Sequence, residues 1–468
     1  MHSESSFDYR EGIHPAEKRN VYAYIVVLVL ILASTLSFID RTILSLLVDP
    51  LKREFGLGDT QIGLLAGFAF ALFYSTMGMP LGRIADFGNR RWLIIVGVVG
   101  WSLATAACGL AQGFASLVVA RALVGIGEAT LGPAAFSLLA DYFPRSRLGV
   151  AMSLFAVGVT LGNGAAVTVG GFVVLWARSA TSGHLLGLYD PVGWRLAFVA
   201  VAALGAPVVG LLLLVVREPA RRNVTPVNEV PSLRQVLSYV RANKRAFLGV
   251  YVGYPLVVVM SFAQLIWGPT YFLRQHGYTV AGFGLIYGLV IGVGGTAALL
   301  LGGYWSDRMW RRGLLDAPMR IILASVIIQT PLLIAAFLCP QPTLALALFS
   351  AGVVVLCVNG GLLTSTLQIL SPDRMRGRIV AIYLILAYLV GAGMGPLFVG
   401  LMTQHVFGGP LGLGRSLATM AALTLPSAAV VLWYALPAVR VTAERLLADN
   451  VLDDLSRSSN PSPCEAVA

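Results

Sequence analysis

The sequence predicts an all-α integral membrane protein with twelve transmembrane helices arranged as two six-helix bundles. Hydrophobic residues make up 57% of the 468 residues and charged residues only 12%, about half the charged share of a typical soluble domain. The chain contains twelve long apolar runs, and one charged pattern recurs after the second and the eighth run. Helices that face lipid and derive from a duplicated unit explain these observations together.

Each apolar run is long enough to cross a membrane, since a helix needs about 20 residues to do so. In order, the runs cover residues 22–48, 60–81, 92–112, 116–140, 148–176, 194–216, 246–273, 279–303, 318–338, 343–369, 379–406 and 413–439. They divide the chain into an N-tail (1–20), an N-terminal bundle (21–216), a linker (217–245), a C-terminal bundle (246–439) and a C-tail (440–468). Strands are not expected, and internal Gly and Pro predict kinks.

The distribution of Lys and Arg predicts that both termini are cytoplasmic. The tails, the linker and the even-numbered loops carry 25 of the 33 basic residues, whereas the odd-numbered loops carry six. Cytoplasmic loops are enriched in Lys and Arg, so the net charge of +11 reflects topology. The acidic N-tail does not resemble a cleavable signal, and the first helix is expected to be retained.

Several functional classes are disfavoured by what the spans contain. The four cysteines lie singly at Cys108, Cys339, Cys357 and Cys464, so neither a disulfide framework nor a metal site is expected. No HExxH motif or grouping of Ser, His and Asp suggests an enzyme, and no ring of charge suggests a channel. The basic residues are scattered over loops, so no nucleic-acid partner is expected.

The linker and the C-tail each contain a short amphipathic pattern. Leu233, Val236, Leu237 and Val240 share one helical face after Pro231, which predicts a short helix on the inner membrane surface, either a tether or a regulatory element. Leucine and valine between residues 446 and 455 predict a short C-terminal helix, followed by a disordered end.

Four ionisable residues lie inside the spans of the first half. Asp40 and Arg41 belong to helix 1, and Arg121 and Glu128 belong to helix 4. With a rise of about 1.5 Å per residue, Asp40 lies about 13 Å and Glu128 about 18 Å below the outer surface. Each such group costs about 3 kcal/mol to insert. We therefore expect a charge network between these two helices.

Two interpretations of this network are open. The four residues can form a permanent ion pair that locks the bundle, although burial makes such pairs poor stabilisers. Alternatively, Asp40 and Glu128 bind and release protons, Arg41 pairs with a carboxylate or an anionic headgroup, and Arg121 tunes Glu128. Gly125 and Gly127 are expected to let a neighbouring backbone or a substrate approach. We favour the proton-coupling interpretation.

The second half lacks charged residues in the interiors of its spans. Its polar residues in the spans are uncharged. Trp267 and Tyr287 either pack between helices or form part of one wall of a cavity. If a cavity lies between the halves, one wall is charged and the other is apolar and aromatic. Such a cavity would suit an amphipathic substrate.

The repeated charged pattern is interpreted as a cytoplasmic gate. A carboxylate between helix ends can contact a helix N-terminus and nearby arginines in one conformation and release them in the other. The enrichment of cytoplasmic loops in basic residues would explain the arginines of the pattern but not its glycines. The gate residues are Gly82, Asp86, Arg90 and Arg91 in the first copy and Gly303, Asp307, Arg311 and Arg312 in the second.

These motifs resemble those of the major facilitator superfamily over nearly the whole chain. The two loop motifs, RALVGIGE at 121–128 and the glycine-rich helices 5 and 11 carry this resemblance, and FIDRTIL at 38–44 with MGMPLGRIADFGNRR at 77–91 is similar to the Spinster group. The loop motif departs from the superfamily pattern at Phe87 and Trp310. The resemblance implies transport of lysolipids or sphingoid lipids, proton dependence, and roles in coupling and substrate handling for Asp40, Arg41 and Glu128.

The sequence thus leads to the hypothesis of a proton-coupled secondary transporter of an amphipathic lipid-like molecule, working by alternating access. A proton-coupled symporter of small organic anions and a drug/proton antiporter remain alternatives. Protons are the expected coupling ion, with no metal and no other cofactor. The short loops and tails suggest an inner-membrane location. The protein is expected to be a monomer in contact with the lipid bilayer.

Overall fold

Twelve helices in the structure are long and apolar enough to span a membrane. The computed structural model describes residues 15–459 except 191, 222–231 and 373. Within that part of the chain, spans 1 to 12 are Val21–Leu46, Asp59–Phe87, Arg90–Gly109, Phe114–Tyr142, Arg147–Ala180, Trp194–Leu214, Lys244–His276, Val280–Trp310, Ala317–Leu338, Pro342–Ile369, Arg376–Phe407 and Gly412–Ala448. The predicted all-α membrane fold is confirmed. Because the number of spans is even, the start of span 1 and the end of span 12 lie on one face, called here the terminal face.

Several spans depart from regular α-helix in their interiors. Span 4 is interrupted after Glu128 and span 10 after Cys357, and π-helical turns occur in spans 2, 7, 8 and 11, the longest at Ala387–Met394. Gly395 and Pro396 follow that turn. Such irregular segments are tolerated in a membrane where neighbouring helices cover the freed backbone groups. Kinks arise at irregular segments of this kind, and the kinks expected from Gly and Pro stay a prediction.

Two short elements connect or flank the spans. The linker helix Leu233–Ala242 has the expected position, begins with a capping box at Ser232, and buries Val236. Span 12 continues without interruption in one helix, Gly412–Ser459, so the predicted C-terminal helix is an extension of the span. The N-tail up to residue 14 and the predicted disordered end beyond Ser459 lie outside the described residues.

The expectation that no strands occur was wrong for the connection between spans 5 and 6. There, Gly183–Leu185 pairs antiparallel with Leu188–Asp190 in a small hairpin. Leu186 and Gly187 form the turn, both with positive φ, as a tight two-residue hairpin turn requires. Asp190 is buried and accepts hydrogen bonds from the backbone N–H groups of Arg195 and Leu196, which fixes the start of span 6.

The two halves meet along three pairs of spans, namely 1 with 7, 2 with 11, and 5 with 8. The 5–8 contact is backbone on backbone, because a Cβ at Gly164 would overlap the main chain of Gly288 and Gly292. Thr168 Oγ1 donates to the carbonyl oxygen of Gly284 at 3.1 Å in the same contact. The glycines of span 5 thus allow close packing, as small residues do between membrane helices.

Polar contacts between the halves concentrate toward the face opposite the chain ends. Arg274 Nε lies 2.8 Å from Asp49 Oδ1, and its Nη1 lies 3.3 Å from Asp59 Oδ1. The backbone N–H of Thr60 donates to Gln404 Oε1 at 3.0 Å. The structure therefore shows a conformation whose opposite face is held closed by ion pairs and hydrogen bonds.

Arg274→Gln is expected to weaken this closure. Each of the two ion pairs is partly exposed and contributes at most about 1 kcal/mol, so the ratio of closed to open conformers should fall by about fivefold. Electron–electron distance measurements between spin labels at Arg53→Cys and Leu411→Cys, in a background without the native cysteines, would detect the change. Arg178→Gln, an exposed arginine at the same face, is the control; an Arg274→Gln distribution identical to that control would contradict the assignment.

Candidate functional site

The centre of the candidate site is the break in span 4, where Glu128 ends the first helical segment. Phe114–Glu128 and Leu131–Tyr142 are separated by a turn at residues 129–130, and Thr130 Oγ1 donates to the carbonyl oxygen of Gly127 at 2.8 Å. The break places the carboxylate of Glu128 in the interior of the N-terminal bundle, where only 2% of the residue is exposed.

Glu128 is bound by one face of span 1. Its Oε2 atom accepts hydrogen bonds from Ser37 Oγ at 2.6 Å and from Arg41 Nε at 2.7 Å. Ser37 and Arg41 are four residues apart and therefore lie one above the other on the helix. The other carboxylate oxygen, Oε1, is buried and has no hydrogen-bond partner among the described residues. Glu128 thus has one occupied and one open oxygen.

Asp40 and Arg121 form a second contact beside the first. Arg121 Nη1 donates to the backbone carbonyl oxygen of Asp40 at 3.1 Å. The Asp40 carboxylate is 1% exposed and lies near Thr105 and Arg121. Neither of its oxygens has a hydrogen-bond partner in the part of the chain that the structure describes. A buried carboxylate in this condition needs a proton, water or a ligand to compensate for lost hydration.

The structure brings the four predicted ionisable residues together but pairs them differently. Arg121 was expected to tune Glu128 and instead binds the main chain of Asp40, whereas Arg41 is the direct partner of Glu128. The reason is distance along span 4. Arg121 and Glu128 share a face but their Cα positions lie seven residues, or about 10 Å, apart along span 4, and each side chain contacts span 1 instead of the other.

The glycines beside Glu128 serve helix packing. A Cβ at Gly125 would overlap the carbonyl oxygen of Phe70, and one at Gly127 would overlap Trp101. The neighbouring groups that they admit are therefore the backbones of spans 2 and 3. Close approach of span 2 brings Phe70 and Tyr74 to the charged residues.

An aromatic cage surrounds the guanidinium of Arg41. Its Cζ atom lies 4.8 Å from the ring centre of Phe70, 5.0 Å from Tyr74, 5.5 Å from Phe38 and 6.0 Å from Tyr388. Rings at these distances attract a cation through their quadrupole. Three of the rings belong to the N-terminal half, and Tyr388 belongs to span 11 of the other half. Sequence reasoning missed Ser37, Phe70 and Tyr74 as site residues.

In this conformation the charged residues are closed off. Arg41 is the most exposed of the four, at 8%. A cavity of about 350 Å³ opens at the opposite face, between Asp59, Arg274 and Gln404, and none of the four residues lines it. Trp267 and Tyr287 are also buried, and Trp267 Nε1 donates to the carbonyl oxygen of Pro396. These two aromatic residues therefore pack between helices and do not form a cavity wall here.

The first loop motif is the centre of an ion-pair network at the terminal face. Arg90 is 1% exposed and binds Asp141 at the end of span 4 and Glu218 at the start of the linker, the latter at 2.7 Å. The backbone N–H of Arg91 donates to Glu218 Oε2 at 2.9 Å. Arg221 in turn binds backbone carbonyl oxygens around Asp86. The motif therefore ties spans 2, 3 and 4 to the linker.

The second copy of the motif differs from the first. Asp307, Arg311 and Arg312 are exposed at the end of span 8, whereas the buried carboxylate of that region is Asp316, which accepts from Arg320 Nε at 2.8 Å. Gly82 and Gly303 lie one turn before the two aspartates, as the repeat requires. The structure thus places all eight predicted gate residues at the terminal face, with the first copy engaged and the second exposed.

No cluster of three or more His, Cys, Asp or Glu side chains that could hold a metal occurs in the described part of the chain. Cys108, Cys339 and Cys357 are free cysteines, and Cys464 lies beyond the described residues. His276 Nε2 lies 2.9 Å from the hydroxyl of Tyr271, so this histidine is packed against a side chain and is not solely solvated.

Residues 30–396 match the family model of the Major Facilitator Superfamily. The chain belongs to this superfamily. In this fold it is similar to a crystal structure of a bacterial homologue of the human lysosomal transporter Spinster in an inward-facing and unoccupied conformation, with a TM-score of 0.73 and 28% identity, covering 94% of this chain and 99% of the other.

Curated relatives point to the same group and to transporters of other cargo. The chain is 26% identical to an MFS-type efflux pump of Mycolicibacterium smegmatis, covering 88% of this chain and 92% of the relative. It is 25% identical to human protein spinster homolog 1, covering 82% and 73%. It is also 25% identical to a "Probable L-galactonate transporter" of Escherichia coli, covering 81% and 83%. The Spinster-like resemblance is confirmed, and the chain is a multi-pass transporter of this superfamily.

Arg90→Gln is expected to destabilise the protein. The substitution leaves the carboxylates of Asp141 and Glu218 near each other without their shared cation, and loss of one partner of a buried ion pair costs roughly 3 kcal/mol. Thermal unfolding in detergent should show a clearly lower midpoint than for Arg83→Gln, whose arginine is exposed near the end of span 2. Equal midpoints for the two variants would show that the network does not stabilise the terminal face.

Proposed function

We propose that this transporter is proton-coupled and moves an amphipathic lipid-like molecule, of lysolipid or sphingoid type, by alternating access. The observation that carries the proposal is the buried group of two carboxylates and two guanidiniums in the N-terminal half, facing a half whose spans contain no interior charge. Packing alone would be better served by apolar residues, because desolvation offsets most of the attraction within a buried ion pair.

The open oxygens of Glu128 and Asp40 are the atoms at which protons would bind. Glu128 Oε2 is occupied by Ser37 and Arg41, while Oε1 and both oxygens of Asp40 lack partners among the described residues. A proton on Glu128 would weaken its ion pair with Arg41. The released guanidinium could then bind an anionic headgroup, so that the Glu128 carboxylate and the substrate compete for the same cation and a proton on Glu128 favours substrate binding. Water would reach these atoms when the halves separate at either face.

The repeated loop motif would act as the gate at the terminal face. In the present conformation, Arg90 pairs within the N-terminal half and Asp86 is exposed. On closure of the terminal face, the two motifs would exchange these partners for helix ends of the opposite half. The excess of basic residues at this face supports a cytoplasmic location for both termini and an inner-membrane protein.

The lipid-like cargo is supported by the likeness to Spinster proteins and by the difference between the two halves, of which one carries buried charges and the other is apolar and aromatic. Tyr383 and Tyr388 are partly exposed on the C-terminal half, where an apolar chain would pack, while Arg41 lies opposite them. A second candidate is symport of a sugar acid anion, because the guanidinium of Arg41 would also bind a carboxylate and the E. coli relative carries a sugar acid in its name.

Transport in proteoliposomes with an internal pH dye tests the proposal. With an imposed pH gradient, lysophosphatidylcholine below its micellar concentration should produce protein-dependent proton flux and accumulate on one side. Galacturonate should neither produce flux nor compete. Flux with galacturonate alone would favour the sugar acid alternative, and no proton flux with either probe would overturn proton coupling.

Variants of the buried carboxylates provide the internal controls. Asp40→Asn and Glu128→Gln should each lose pH-driven accumulation, by about tenfold or more, while remaining monodisperse and helical. Asp316→Asn alters a buried carboxylate of the C-terminal half, which is bound to Arg320, and should leave coupling unchanged. Normal coupling in both Asp40→Asn and Glu128→Gln would show that these residues are not the proton sites.

A further inference from the structure

Tyr388 is the member of the Arg41 cage that comes from the C-terminal half. Its ring centre lies 4.5 Å from that of Tyr74 on span 2 and 5.9 Å from that of Phe262 on span 7. The cage and the ion pair with Glu128 share one guanidinium, since Arg41 Cζ lies 6.0 Å from the Tyr388 ring. Span 11 therefore touches the buried charges through an aromatic side chain.

The local structure of span 11 is irregular at this ring. Tyr388 lies within the π-helical turn Ala387–Met394, which is followed by Gly395 and Pro396. A π-helical turn is a strained insertion that often occurs at functional positions. On the other side of the contact, span 2 is regular α-helix at Phe70 and Tyr74. The irregular partner of the contact is therefore the span of the C-terminal half.

We propose that Tyr388 is a positioning residue through which the charge state of the Arg41–Glu128 pair is transmitted to the C-terminal half. This inference rests on the proposed proton coupling. When Glu128 is ionised, it neutralises the guanidinium, and the attraction between that cation and the rings is small. When Glu128 carries a proton, Arg41 is an uncompensated cation and draws the rings of Tyr74 and Tyr388 toward it.

The direction of the effect follows from the geometry of the contact. Tyr388 engages Arg41 in a conformation whose opposite face is closed by Arg274, Asp49 and Asp59. Protonation of Glu128 therefore stabilises this closed conformer, and deprotonation releases span 11 from span 2. The other charged or titratable groups around Glu128 and its neighbours are Asp40 and Arg41 on span 1, Tyr74 on span 2, Cys108 on span 3, Arg121 on span 4 and Tyr388 on span 11.

The test needs no transported substrate. Spin labels at Arg53→Cys and Leu411→Cys, in a background without the native cysteines, report the separation of the halves at the opposite face. In the otherwise unchanged protein, acidification should raise the ratio of closed to open conformers. Tyr388→Leu should reduce this response by about thirtyfold, which is the size of one desolvated cation–π contact, and Tyr388→Phe should keep it.

Two further variants separate this role from a general loss of structure. Tyr388→Met fills similar volume without a ring and should behave as Tyr388→Leu does. Tyr251→Leu removes a ring of span 7 whose hydroxyl donates to the carbonyl oxygen of Ile379 on span 11 and should keep the pH response. A full response in both Tyr388→Leu and Tyr388→Met would overturn the inference while leaving proton coupling intact. No response in the parent protein would instead remove the proposed coupling, and the inference with it.

Discussion

The ion pair between Arg41 and Glu128 is the interaction on which the other features of the site depend. It joins span 1 to the broken span 4 in an interior where each charge has lost its hydration. Such a pair gives little net stability, yet loss of either partner would leave an uncompensated charge. Three other features lie around this contact. They are the break in span 4 after Glu128, the glycines that let span 2 approach, and the aromatic cage around Arg41. Its strength is therefore set by whether Glu128 carries a proton.

The two halves of the molecule contribute different chemistry. The N-terminal half holds the buried charges and the engaged copy of the loop motif, and it anchors the start of the linker through Arg90 and Glu218. The C-terminal half supplies apolar surface, π-helical turns and the ring of Tyr388. A duplicated fold has thus kept its architecture while its halves have diverged, which is what a rocking mechanism permits as long as the contact between the halves is retained.

The sequence was sufficient for the architecture and only partly sufficient for the site. Long apolar runs predict the spans because the backbone of a segment in lipid must satisfy its own hydrogen bonds, as it does in a helix. The similar depth of Asp40 and Glu128 in the membrane was enough to predict that they lie near each other. Pairing depends on rotation about the helix axes, and this is why Arg121 was assigned to Glu128 while Ser37 was missed. Tyr388 approaches Arg41 only through the contact between the halves, which no local pattern encodes. The hairpin at residues 183–190 depends on a turn in which Leu186 has a positive φ. Leucine does not predict such a turn.

The most direct measurement of the central claim is infrared difference spectroscopy of the purified protein in lipid during a pH titration. If Glu128 and Asp40 exchange protons, acidification should produce the carbonyl band of a protonated carboxyl group in an apolar environment, reduced in Glu128→Gln and in Asp40→Asn. Arg41→Lys should shift the pH at which the Glu128 band appears. A titration without such a band, or with a band unaffected by either carboxylate variant, would contradict the account.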